Sequence, residues 1–212
     1  VALVNEQAFS AGLIGHYLDA GYKALLMDWD NPSAHHPEWD DEFQYLPQYA
    51  AGLDGRRIAV LWTNTSAFQQ MQRLVYGDIS QDSYLRFLRV RRAFSTRALC
   101  LYASDAEIFD FRPGRFRTEE KLPDTASEWE RFNRALTAVH NAAMNLIAPS
   151  HVLTLIEREG GGRLLRLESP VCPVPVKKQR KYNLARWAVT GRDNTAVNAA
   201  CEGISRGMDA RG

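Results

Sequence analysis

Hydrophobic and polar residues follow two different periods along the start of the chain. Residues 9–20 carry apolar side chains at helical spacing, and Gly21 follows where such a helix would end. Residues 22–27 form a short apolar run that ends at residues 28–30, two aspartates around a tryptophan. This pattern predicts an amphipathic helix followed by a buried strand and a polar loop.

The same alternation of helix and strand continues to residue 102. Ser66 is the expected N-cap of one helix, and Gly77 is placed to close it. The predicted elements are strands at residues 57–62 and 98–102 and helices at residues 66–75 and 82–94. Strands that alternate with helices predict an α/β fold with parallel strands, as either a barrel or an open sheet.

Two parts of the chain depart from this alternation. Residues 31–55 have no regular period and are rich in proline, aromatic and acidic residues, so we predict a long loop that lines a functional surface. After Pro123 the chain is predicted to be mainly helical, with a helix that starts at Thr125 or Ser127 and runs to about residue 147. We therefore divide the chain into a barrel portion, residues 1–124, and a helical segment with a proline-rich connector, residues 125–212, that packs on it.

Composition narrows the class of protein only a little. The 212 residues carry a formal net charge of +1, which gives no long-range field to attract nucleic acid or an anionic membrane. No run of apolar residues is long enough to cross a bilayer. The three cysteines, at positions 100, 172 and 201, are too widely spaced for a metal pair or a disulfide framework. We predict a cytoplasmic protein without cofactor or metal, and composition does not indicate its oligomeric state.

Carboxylates dominate the positions that follow the predicted strands. In folds with parallel strands, ligands bind at the carboxyl ends of the strands, so these residues are candidates for chemistry. They are Glu6, Asp28, Asp30, Asn64, Asp105 and Glu107. A carboxylate pair about 5–5.5 Å apart cleaves glycosidic bonds with retention, although each carboxylate could instead cap a helix or solvate a loop.

Aromatic residues accompany these carboxylates. Trp29 stands between Asp28 and Asp30, and Trp39 lies in the long loop. Rings in loops can stack on the faces of sugars, whereas rings in strands more often pack in the core. We therefore expect Trp62 to be a core residue, and Trp29 is open to both interpretations. The neighbouring residues His35 and His36 are poorly placed to bind one metal ion together.

Three stretches of the sequence resemble glycoside hydrolase family 57, which includes α-amylases, 4-α-glucanotransferases and glycogen branching enzymes. Residues 6–10, followed by a helix and residues 19–23, resemble the stretch that carries the family's nucleophilic glutamate. Residues 102–109 resemble the stretch around its acid/base aspartate, with the pattern Asp-x-Glu and an aromatic residue two positions later. Residues 178–193 resemble a segment that follows the barrel in some members, and residues 186–193 are the most specific part of this match.

The resemblance implies a retaining enzyme that acts on α-glucans or maltooligosaccharides, built on a partial (β/α)7 barrel with a mainly helical C-terminal segment. Glu6 would be the nucleophile and Asp105 the general acid/base, and Glu107 would position the site or bind sugar hydroxyls. The other residues expected to bind substrate are Asp28, Trp29, Asp30, Arg112 and Trp187. Hydrolysis and glucan transfer are both compatible with these residues.

The family also carries a His-x-His motif on its first strand and a second motif ahead of the nucleophile. This chain begins five residues before Glu6, so neither motif is present. We expect the chain to be part of a longer protein, and expect it to be inactive or poorly stable by itself.

Two other functions stay open. A polysaccharide deacetylase has a similar incomplete barrel but uses an Asp/His/His metal triad, and we find no Asp-Asp strand end joined to a His-x3-His spacing. A catalytically silent carbohydrate-binding relative is the other alternative.

Overall fold

The computed structural model describes residues 1–4, 9–92, 98–103, 109–110, 127–158, 162–168, 174–176, 179–183 and 194–209. Five strands in this part of the chain form one sheet, in the order β1-β2-β4-β3-β5. These strands are β1 (Ala2–Leu3), β2 (Ala24–Asp28), β3 (Gln48–Ala51), β4 (Arg57–Thr63) and β5 (Leu164–Leu165). A separate antiparallel pair is formed by β6 (Pro175–Val176) and β7 (Gln179–Asn183).

The parallel strands bring their carboxyl ends to one edge of the sheet. β1 is parallel to β2, and β2 is parallel to β4 with Asp28 beside Thr63. The segment 98–103 joins the same edge through a parallel bridge between Thr63 and Cys100. The α/β fold with parallel strands that the sequence predicts is therefore confirmed.

β3 lies inside the segment that we expected to be a long loop. It pairs antiparallel with β4 and parallel with β5. With only four residues, β3 is too short to show a clear period of two. Gly162 permits the approach of the neighbouring chain, because a Cβ there would lie 2.8 Å from the Cα of Gln48.

The helices follow the predicted order, with three corrections. The helix that starts after Ser127 ends at Asn141 and not near residue 147, because the chain turns out of it at Ala143, whose φ is 59°. A short helix, Asp30–Ser33, lies at the start of the segment expected to be a loop, and one N-cap differs. Asn64, rather than Ser66, caps the helix after β4, because its side chain accepts a hydrogen bond from the backbone of Ala67. Gly77 closes this helix with a φ of 89°, as predicted. The helices are α1 (Ile14–Asp19), α2 (Asp30–Ser33), α3 (Thr65–Tyr76), α4 (Gln81–Arg92), α5 (Glu128–Asn141), α6 (Pro149–Val152), α7 (Thr154–Arg158) and α8 (Asn194–Asp209).

Both faces of the sheet are covered. On one face Leu25, Val60 and Trp62 pack with Ile14 of α1 in the largest buried cluster. On the other face small and aliphatic residues of β2 and β4 pack against α6 and α7. A second cluster joins α3, α4 and α5. Because β5 belongs to the sheet, residues beyond 124 contribute to it, and the domain boundary at residue 124 stays a prediction.

None of the helices in the described ranges is long and apolar enough to cross a membrane.

The central part of the sheet offers a test of this packing. Leu25 of β2 is fully buried, whereas Leu53 in the loop after β3 is 82% exposed. We expect Leu25→Ala to lower the free energy of unfolding by about 2–5 kcal/mol, because it removes buried methyl groups and leaves a cavity. Leu53→Ala makes the same chemical change at the surface and should alter stability by less than about 0.5 kcal/mol. Urea unfolding of both variants measures the difference, and equal losses would contradict the described packing.

Candidate functional site at the carboxyl edge of the sheet

Asp28 is a buried carboxylate at the end of β2. Its side chain is 3% exposed, and both of its oxygens lie 3.3 Å from the hydroxyl of Thr65, which donates to them. The next residue, Trp29, continues the sheet with a backbone hydrogen bond to the carbonyl of Thr63. The ends of β2 and β4 are thus joined where substrate-binding residues are expected.

A chain of side-chain hydrogen bonds fixes the loop above β4. The side chain of Asn64 caps α3 and also donates to Oε1 of Gln44 at 2.8 Å. Gln44 in turn donates to the backbone carbonyl of Asp41 at 2.9 Å. These bonds hold the short 3-10 helix Asp41–Tyr45 against the strand ends.

Three tryptophans and a histidine form an aromatic cluster at this edge. The ring of Trp29 lies 5.3 Å from that of Trp62 and 5.7 Å from that of Trp39. His36 stacks on Trp39, with ring centroids 4.1 Å apart and planes 2° from parallel. Trp29 and Trp62 are buried, and Trp39 is partly exposed. Trp62 is therefore a core residue, as expected.

The two ring nitrogens of His36 contact acceptors of the protein itself. Nδ1 lies 2.9 Å from a carboxylate oxygen of Glu38, and Nε2 lies 3.3 Å from the carbonyl of Leu167. The pKa of Glu38 is held below its ordinary value, first by its own backbone N–H and then by His36. These contacts give His36 a structural role. Among the described residues, no group of three or more His, Cys, Asp or Glu side chains could hold a metal ion.

A cleft of about 370 Å³ opens beside the aromatic cluster. The exposed carboxylates of Asp30 and Asp41 line it together with Trp39. The other lining residues are Trp29, Ser33, Ala34, His36 and Pro37. Carboxylates beside a partly exposed ring can bind a polyhydroxylated ligand, since the oxygens accept from hydroxyls and the ring packs on C–H groups.

The structure brings three of the predicted site residues, Asp28, Trp29 and Asp30, to this edge. The catalytic candidates Glu6 and Asp105 and the predicted binding residues Glu107, Arg112 and Trp187 lie outside the described residues. The sequence did not point to His36 or Asp41 as site residues, and it indicated Trp39 only as a loop ring that could stack on a sugar. The loop as a whole was expected to line a functional surface, but the approach of these residues to Trp29 depends on tertiary packing.

A distant carboxylate anchors the chain just after the segment that contains Glu6. Phe9 is fully buried, and the carboxylate of Glu168 accepts hydrogen bonds from the hydroxyl of Ser10 and the backbone N–H of Ala11. The two distances are 3.1 Å and 2.5 Å. The start of the helical turn that follows residues 5–8 is thereby tied to the segment 162–168.

A larger cavity of about 850 Å³ lies between the sheet and helices α4 to α7. Its walls are mostly aliphatic and aromatic, with Leu61, Leu136 and Cys100 among them. Sugar hydroxyls need hydrogen-bond partners, so the smaller, acidic cleft at the strand ends suits a sugar better.

Comparison with known proteins identifies a shared fold. No protein-family model matches the sequence, and no curated protein matches it. Among solved structures, the chain is similar to a 4-α-glucanotransferase from Thermococcus litoralis, with a TM-score of 0.54 and 15% sequence identity. The similarity covers 96% of this chain and 26% of that enzyme, so the chain spans about a quarter of its length.

The likeness shows the fold alone. It confirms the predicted fold class, an α/β part-barrel with mostly parallel strands and a mainly helical C-terminal segment. At 15% identity it assigns neither an activity nor a role to any residue of this chain.

Cys100 gives a chemical test of the packing of segment 98–103, which joins the sheet by one bridge and not as the full strand predicted at residues 98–102. Burial raises the pKa of its thiol, while Cys201 on α8 is exposed. Because the thiolate is the reactive form, we expect Cys100 to react with a maleimide more slowly than Cys201, by about tenfold or more. Peptide mapping by mass spectrometry separates the cysteines, and denaturant should abolish the difference. Equal labelling in the native state would contradict the burial of Cys100.

Proposed function

We propose that this chain carries the catalytic residues of a retaining enzyme that acts on α-glucans or maltooligosaccharides. Glu6 is the nucleophile and Asp105 the general acid/base, with Glu107 supporting them. Asp28, Trp29, Asp30, Arg112 and Trp187 contribute to substrate binding. The observation that supports the proposal is the strand order: β1 and the segment 98–103, which precede the two carboxylates, both end at the same edge of the sheet.

Chain connectivity and strand spacing are compatible with Glu6 and Asp105 acting as a retaining pair. Glu6 is two residues beyond Val4, and Asp105 is two residues beyond Ala103, so each is tethered within about 7 Å of the described chain. β2 and β4 separate the two segments, which would place them about 14 Å apart in a flat sheet with strands about 4.8 Å apart. Curvature of a barrel shortens that distance toward the roughly 5–5.5 Å of a retaining pair.

The cleft at the same edge supports a carbohydrate substrate. Asp30 and Asp41 supply acceptors for hydroxyl groups, and the partly exposed ring of Trp39 supplies an apolar surface. The structural likeness to a 4-α-glucanotransferase agrees with an α-glucan as the substrate class.

In the proposed reaction, the carboxylate of Glu6 attacks the anomeric carbon while Asp105 protonates the leaving glycosidic oxygen. A covalent glycosyl-enzyme intermediate results, and Asp105 then deprotonates the incoming nucleophile that releases it. Water gives hydrolysis, and a sugar hydroxyl gives transfer, so exclusion of water from the intermediate decides between them.

The catalytic proposal is tested by removing one carboxylate at a time in the full-length protein. We expect Glu6→Gln and Asp105→Asn each to lower turnover of maltooligosaccharides by about 100-fold or more, because neither amide can act as nucleophile or acid/base. Asp82→Asn, an equivalent change at an exposed position of α4, should leave turnover unchanged. Chromatography of the products measures hydrolysis and transfer together. Normal turnover by either active-site variant would overturn the proposal.

The role of the cleft in substrate binding is tested by measuring binding to the Glu6→Gln variant, which should not consume the substrate. We expect Trp39→Ala to weaken maltooligosaccharide binding by about 3- to 10-fold, because the ring face of the cleft is lost. Tyr22→Ala removes another exposed aromatic ring, one outside the cleft, and should leave Kd unchanged. Calorimetry provides the comparison. Equal affinities for all three proteins would remove Trp39 from the binding site.

A further inference from the structure

The segment that contains Asp105 and Glu107 is flanked by two aromatic residues that contact each other. Tyr102 precedes it and Phe109 follows it, and their ring centroids are 5.2 Å apart. The chain therefore leaves one aromatic cluster before residue 104 and returns to it after residue 108. Closing the ends of a short segment in this way restricts the conformations that it can adopt.

Phe109 holds the returning end in the core. Its side chain is 2% exposed, and its ring lies 5.4 Å from the rings of both Trp129 and Phe132 on α5. It also lies 6.1 Å from the ring of Tyr76 at the end of α3. Two helices thus fix the residue that comes two positions after Glu107.

Asp110 adds a reciprocal set of hydrogen bonds to the first turn of α5. Its carboxylate accepts from the backbone N–H of Glu128 at 2.6 Å and from that of Trp129 at 3.3 Å. The carboxylate of Glu128 returns a bond, accepting from the backbone N–H of Asp110 at 2.9 Å. Glu128 is 3% exposed. Bonds between charged carboxylates and backbone N–H groups at a helix N-terminus are among the stronger ones, and the helix dipole favours them.

Asp110 has an unusual backbone conformation, and it is not the residue that caps α5 locally. Its φ is 58°, in the left-handed region that costs most residues free energy and that aspartate tolerates better than most. The local N-cap of α5 is a different residue, Ser127, whose hydroxyl accepts from the N–H of Glu130 at 3.1 Å. The helix is therefore capped without Asp110, and the bonds of Asp110 add a long-range connection.

We propose that Asp110 and Glu128 are positioning residues that fix the segment carrying the acid/base. The inference rests on the proposed function of Asp105, which lies five residues before Asp110. Neither residue reacts with substrate in this scheme. Their bonds hold Asp110 on α5, and Asp110 is the anchored end of the chain nearest to the proposed general acid. A displacement of about 1 Å at such a group lowers turnover by as much as about 100-fold.

Two alanine substitutions in the full-length protein, one at Asp110 and one at the N-cap of α5, separate positioning from stability. Asp110→Ala removes the long-range connection, while Ser127→Ala removes the local cap and leaves that connection in place. We expect Asp110→Ala to lower kcat on maltooligosaccharides by about 10- to 100-fold with less than a twofold change in KM. Ser127→Ala should lower thermal stability but leave kcat within twofold of the wild type. Asp110→Asn, which tolerates the same φ and retains one acceptor oxygen, should recover part of kcat and keeps the test valid if the alanine variant does not fold.

Hydrogen exchange provides a readout that does not depend on activity. In Asp110→Ala, the amides of Glu128 and Trp129 and those of residues 104–110 should exchange faster. In Ser127→Ala, faster exchange should be confined to the first turn of α5, including Glu130.

The outcomes distinguish this inference from the proposed function. If Asp105→Asn abolishes turnover while Asp110→Ala and Asp110→Asn keep the kcat of Ser127→Ala, the inference is wrong and the proposed function stands. If turnover survives Asp105→Asn, or the full-length wild-type protein has none, the proposed function fails and the inference fails with it. A selective loss of kcat in Asp110→Ala, with faster exchange in residues 104–110, supports the inference.

Discussion

The hydrogen bonding of β4 is the interaction on which the described architecture depends. This strand pairs with β2 along one side and with β3 along the other, and its last residue, Thr63, bridges to Cys100. Five of its seven residues are buried. Its register therefore fixes the height at which β2 ends, and its last residue fixes where the chain leading to Asp105 joins the edge. A shift of one residue would turn Trp62 away from the aromatic cluster and separate Asp28 from Thr65.

The sequence was sufficient for β2 and β4 because each is a continuous apolar run, and runs of this kind are buried on both faces. The sequence also predicted correctly that Gly77 closes α3. It could not indicate β3, because four residues with two alanines carry too little pattern and their partner β5 lies more than a hundred residues away. The N-cap was misplaced by two residues, since Asn64 and Ser66 both have suitable side chains and only tertiary contacts select between them.

The candidate site, like the fold, combines residues that the sequence predicts with contacts that it does not predict. Strand ends pointed to Asp28, Trp29 and Asp30, whose position follows from local chain order. The supporting carboxylates were not predictable, because Glu168 reaches Ser10 across 158 residues and Glu128 reaches Asp110 across 18. Both bonds tie down the chain shortly after a proposed catalytic residue, and in both places a buried phenylalanine stands beside the bond. Long-range carboxylates thus hold the chain at Ser10 and at Asp110.

The grouping of tryptophans at the strand ends gives the protein an intrinsic optical signal. Trp29, Trp39 and Trp62 lie within 6.4 Å of one another, so we expect near-ultraviolet circular dichroism to report on their packing. The indole N–H of Trp62 is buried and meets no acceptor within the described part of the chain, so we expect its emission to lie toward the blue. Since Trp39 also lines the cleft, a molecule that enters it changes the spectrum without any added label.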